Sequence, residues 1–240
     1  MENKLIPALL IVLLSIVSVG VVFIGLWKAL TKTDWPVQKK KAYFIKAATG
    51  ILIWIILISL LTLAGLFKDL SQLPPKPVIL LLPAIVILFL VAFSKSFIQL
   101  LRVTPPQWLV YIQSFRIGVE IFLWLAFVKK LMPVQMTWEG YNFDILSGLL
   151  ALPAGWLMQR YPDKVKTVGV VYNVIGLLLL LNVLIIAVLS MPTPIRKFMN
   201  EPPVVIVGHF PFIFLPSILV LLAFAMHIFS LRQLFLRNHK

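Results

Sequence analysis

Not one of the 240 residues is a cysteine. Disulfides, zinc-thiolate sites, iron-sulfur clusters and thiol nucleophiles are therefore excluded, and the redox compartment leaves no mark. Acidic residues are scarce, 8 against 22 lysines and arginines. No HExxH, GxSxG, P-loop or GxGxxG occurs, so the common hydrolase, kinase and dinucleotide-binding signatures are missing. No internal repeat is visible, which removes the sequence support an inverted-repeat transporter would have. His209 and His227 fall in one apolar segment, about 27 Å apart along an ideal helix, so they cannot clamp one haem. That segment has no central lysine for a retinal Schiff base. The expected cofactor complement is none, and the expected metal complement is none.

Apolar residues are abundant. They make up 61% of the chain, charged residues make up 12%, and the mean hydropathy is +1.02. Such a composition belongs to an integral membrane protein. The net charge of +14 would suit nucleic acid, but the basic residues lie in short gaps between apolar runs rather than along one helix face, which argues for a topology signal and no nucleic-acid partner.

A hydrocarbon core about 30 Å thick requires roughly 20 apolar residues per helix. Segments 5–29, 47–67, 78–97, 107–128, 142–159, 168–190 and 204–234 come near this length. The expected fold is all-α, a polytopic bundle of seven transmembrane helices forming one domain over residues 1–240. The first apolar run is longer than a signal-peptide core and is read as an uncleaved first helix. The connections "LPPKP", "TPPQ", "MPTP" and "EPPV" mark helix boundaries, because proline suits a first helical turn and restricts the residue before it. Basic residues divide 14 to 7 between alternate sides, with "WPVQKKKAYFIK" on the richer one. Positive-inside reasoning puts the amino terminus outside and the carboxy terminus in the cytoplasm.

Within the fourth segment, "QSFRIGVEIFLW" carries two charges in an apolar run. Gln113, Arg116, Glu120, Trp124 and Phe127 share a narrow helical arc. Each charge in lipid would cost at least a few kcal/mol, so both are expected to face the bundle interior, where Arg116 and Glu120 are spaced to pair at i, i+4. The pair either locks helix packing or lines a ligand or ion pathway. Beyond it, "PVQMTWEGYNFDILSG" gathers Gln135, Thr137, Trp138, Glu139, Tyr141, Asn142 and Asp144. Asn142 suits a helix cap and Asp144 a first helical turn. Trp138 and Tyr141 suit an interfacial belt, whereas Glu139 has no such local role.

The glutamine, Arg116, Glu120 and "MTWEGYNFDILSGL" together resemble a group of uncharacterised bacterial multi-pass membrane proteins in which words close to "MTFEGRNFDILAGL" recur. The resemblance spans Gln113 to about Ala154, with Tyr141 where those relatives carry arginine. It implies that this patch is more than filler, and the expected location is a bacterial inner membrane.

The last segment, 31 residues or about 46 Å as one helix, is too long for the bilayer unless tilted or broken. Gly208 and Pro211 suggest a break that leaves His209 at the outer mouth, with a kink at Pro216. Gly148, Ala151 and Gly155 offer a small face for close helix contact, inside the bundle or between copies. Asn173 and Asn182 are expected to hydrogen-bond across helices.

These residues point to an outward-opening polar pocket for a small ligand or lipid, in a sensor or carrier. Its expected lining is Gln113, Arg116, Glu120, Trp124, Glu139, Asp144 and His209. Membrane lipids are the expected partners. The alternatives are a structural subunit of a larger membrane complex and an embedded enzyme in which Glu120 or Glu139 performs acid-base chemistry on a lipid.

Overall fold

The computed structural model describes residues 2–236, all of whose regular structure is helical. The helices are α1 (Glu2–Thr31), α2 (Val37–Leu63), α3 (Lys76–Phe93), α4 (Lys95–Val103), α5 (Pro106–Tyr111), α6 (Phe115–Val128), α7 (Ile145–Arg160), α8 (Val165–Ser190) and α9 (Leu221–Leu236). Among the described residues, six helices are long and apolar enough to cross a membrane. They correspond to the first four, the sixth and the seventh expected segments. α5 and α6, joined by a tight turn at Ile112–Ser114, count as one span, Pro106–Val128.

The fifth expected segment, 142–159, yields only the 16-residue α7, about 24 Å long and short of a full crossing. Its partner contacts explain the deficit. Cβ atoms added at Gly148 and Gly155 would meet Ile117 and the Tyr111 ring at 2.8 Å and 2.6 Å, so α7 runs antiparallel against α5 and α6 from a level well inside the span. The missing length is filled by the loop before it, where Met132, Gln135, Met136, Thr137 and Asn142 are all buried. Irregular backbone at that depth is tolerated only when protein satisfies it. Here Thr137 O accepts from Gly140 N and Asn142 N, and Gln135 O accepts from Tyr141 N.

One other boundary differs from expectation. The third segment does not run through to Phe97. α3 stops at Phe93, and Ser94 opens a new helix by accepting a hydrogen bond from Phe97 N at 3.3 Å. α4 is amphipathic, burying Leu100 and Leu101 while Lys95 and Arg102 remain exposed. The last segment is broken as Gly208 and Pro211 suggest. A Cβ at Gly208 would lie 2.2 Å from Phe67 O, an approach only glycine permits. A π-helical turn at Leu215–Val220 carries Pro216, whose missing N–H disrupts the regular ladder. The Trp54 indole donates to Ser217 O there, at 2.9 Å.

α6, α7, α8 and α9 form the packed interior, with α1 laid against α6 and α3 against α9. Outer faces of α1, α2 and α3 stay apolar and uncovered, Leu9, Ile16, Leu60 and Leu90 among them. That is the face a bilayer would solvate.

Candidate functional site

Arg116 lies midway along the Pro106–Val128 span and is fully buried. Its partner is Asp144, not Glu120. Nε donates to Asp144 Oδ2 at 2.8 Å, and Nη2 donates to Asp144 Oδ1. The sequence argument fails here because i, i+4 spacing brings two side chains near each other without fixing their direction. The short α7 delivers a second carboxylate at the same depth, in fork geometry matched to a guanidinium. The remaining N–H groups reach across the bundle. Nη1 and Nη2 each donate to Gly176 O at 3.3 Å, and Nη1 lies 3.0 Å from His227 Nε2. All five guanidinium N–H bonds are therefore spent on protein acceptors.

His227 in turn lies with Nδ1 2.8 Å from Asn173 Oδ1. Asn173 Nδ2 donates to Gly169 O at 2.7 Å and to Ser230 Oγ at 2.8 Å, which fixes the amide with its oxygen toward the imidazole. Asn173 Oδ1 only accepts and Arg116 Nη1 only donates, so His227 is the neutral tautomer with its proton on Nδ1. The helices approach closely at this point. A Cβ on Gly176 would stand 2.5 Å from His227 Cε1 and 2.9 Å from Nε2.

Glu120 belongs to a neighbouring group. Both of its oxygens accept from Asn142 Nδ2, at 2.8 Å and 2.9 Å, and the same nitrogen donates to Met136 O at 3.0 Å. Asn142 Oδ1 accepts from Asp144 N at 3.0 Å, so one amide ties Glu120 to the residue that holds Arg116. The expected helix cap is not formed at Asn142: Asp144 is the residue that opens α7, no side chain caps the helix, and Asn142 holds the backbone of Asp144 just before it.

The other expected lining residues do not converge on this cluster. Gln113 is buried, with Nε2 donating to Ala223 O at 3.1 Å. Trp124 and Glu139 meet at the surface, the indole donating to Oε1 at 2.6 Å, with Trp138 stacked on Trp124 at 5.8 Å. His209 is exposed, with Nδ1 3.3 Å from its own segment's Val205 O. Asn182, expected to bond across helices, instead donates to Tyr141 O in the loop before α7 at 2.9 Å. Sequence reasoning missed His227, Gly176 and Ser230. The rule that an intramembrane ionisable residue marks a site applied to His227 as much as to Arg116. Three-residue spacing, Asn173 to Gly176 and His227 to Ser230, put each pair on one helix face.

Beside the cluster runs a narrow slot between α3, α8 and the π-helical turn, with α6 as its floor. Leu81, Leu180, Ala187, Val207 and Leu219 line it, and Arg116 and Asp144 are the only charged residues on its wall. Its free space of about 80 Å³ is well below the ~300–1,000 Å³ of pockets for drug-sized ligands. Among the described residues no group of three or more acidic or histidine side chains could hold a metal ion.

The model of a domain of unknown function, DUF8737, matches residues 73–235. The chain belongs to that family. The DUF8737 match takes in α3 to α9, the whole polar cluster and the slot, while α1 and α2 lie outside it. No curated protein and no solved structure matches the chain.

Proposed function

We propose that this chain is a lipid-binding membrane protein, a sensor or carrier whose slot takes in the end of one hydrocarbon chain. The observation that carries this reading is chemical. The slot is apolar except at Arg116 and Asp144, and the donors of Arg116 are already engaged. Arg116 has no donor left for a polar ligand, whereas the end of an acyl or isoprenoid chain needs only apolar walls. The polar cluster then serves as a rigid floor that fixes four helices around the slot.

The proposed setting is a bacterial inner membrane crossed seven times. α7 with its buried loop makes the fifth crossing, the amino terminus is outside and the carboxy terminus is cytoplasmic. The 14 to 7 division of basic residues supports that orientation. The complete engagement of Arg116 also favours a second reading, a structural subunit in which the cluster does no more than fix helix packing.

Native mass spectrometry of the purified protein separates the two. Wild type is expected to retain lipid, and Ala187→Trp, which fills the slot from α8, is expected to lose it while keeping its thermal transition. Equal lipid retention by a folded Ala187→Trp protein rejects the slot, and a wild type free of lipid leaves the structural reading.

A further inference from the structure

We propose that a crevice between α1 and α2, outside the family match and apart from the slot, binds the headgroup of an anionic phospholipid. Trp27, Leu30, Thr31, Val37 and Lys40 line a space of about 220 Å³. Its walls are apolar and its one charge is Lys40, half-buried where Lys39 and Lys41 beside it are exposed. Lys40 Nζ makes a long contact of 3.4 Å to Thr31 O. An ammonium has three N–H bonds, so two are left for an acceptor.

The depth is right for a headgroup. Trp27, Trp35 and Trp108 cluster at this end of the molecule, as interfacial tryptophans do. Lys39 sits 4.2 Å over Trp35, Lys32 sits 4.7 Å over Trp108, and the Trp35 indole donates to Gln99 Oε1 of α4 at 2.8 Å. Those contacts hold the α1–α2 connection against α4 and α5, which keeps the crevice open at a fixed place. The charge is one-sided. Residues 28–46 carry Lys28, Lys32, Lys39, Lys40, Lys41 and Lys46 against Asp34 alone, and among the described residues none of the six lysines forms an ion pair. Topology signalling accounts for positive charge beside a membrane but requires no cleft. A half-buried lysine over apolar walls is the complement of a phosphodiester joined to a glycerol backbone.

The test is a titration of the full chain in detergent with short-chain phosphatidylglycerol, phosphatidylcholine of the same chain length, and inorganic phosphate. Phosphatidylglycerol is expected to bind in preference to phosphatidylcholine. Lys40→Gln is expected to weaken it about fivefold, the worth of one lysine near an anionic surface. Lys40→Arg and the distant Lys166→Gln are expected to retain it. Equal binding of the two lipids, unchanged affinity in Lys40→Gln, or displacement by millimolar inorganic phosphate each overturns the assignment. Because the compared lipids share their chains, failure here is distinguishable from failure of the slot.

Discussion

A guanidinium held in the middle of a membrane span depends on every one of its N–H bonds, and the five of Arg116 end on Asp144, Gly176 and His227. Removing the one opposite charge is the most damaging single change. Asp144→Asn is expected to cost about 3–5 kcal/mol, because it strands a buried cation. Glu120→Gln keeps an acceptor for Asn142, leaves Arg116 paired, and is expected to shift the melting temperature little. Thermal melts of both variants in detergent decide this, and an equal loss in Glu120→Gln would return Glu120 to the role of counter-ion. Gly176→Ala is a second probe. Its methyl group forces His227 away from both Asn173 and Arg116, with an expected loss of about 1–3 kcal/mol. The same melts report it, and an unchanged transition would mean that His227 does not need its place. At this scale the sequence revealed that Arg116 and Glu120 had to be buried and satisfied, but it gave Asp144 only a place in a first helical turn. It did not reveal the pairing, because that depends on the depth at which α7 begins, and the packing of Gly148 on Ile117 sets that depth.

Among the elements, hydropathy located the long helices and proline marked most of their ends. It could not separate α3 from α4, because Ser94 interrupts an apolar run whose continuation, Phe97, Ile98, Leu100 and Leu101, is apolar as well. The change lies in the pattern. Lys95, Gln99 and Arg102 alternate with apolar residues at helical spacing, the mark of a helix lying in the interface rather than crossing it. A chain without cysteine allows this to be tested without background. Lys95→Cys is expected to react with a charged maleimide in membranes and Leu90→Cys is expected to be protected. Protection of both positions would restore one uninterrupted span. The short α7 was illegible for a different reason: residues 142–144 are polar enough to cap a helix and apolar enough in context to be counted in a span.

For the whole molecule, composition was sufficient to establish a polytopic helical membrane protein, and the family match adds no activity to that. The slot was illegible in the sequence, since apart from Arg116 and Asp144 its walls come from α3, α6, α8 and the π-helical turn and contain no residue type that distinguishes a wall from a core. Orientation is open to direct measurement. A reporter fused after Lys240 is expected to behave as cytoplasmic, and an external signal would mean either an even number of crossings or the reverse orientation. The slot itself is tested most directly by a density map of the protein reconstituted in lipid nanodiscs from its native membrane. A continuous tube of non-protein density beside Leu180 and Ala187, ending against the Arg116–Asp144 pair, is the expected result. A slot closed by its own side chains, with no density between α3 and α8, would contradict lipid binding there.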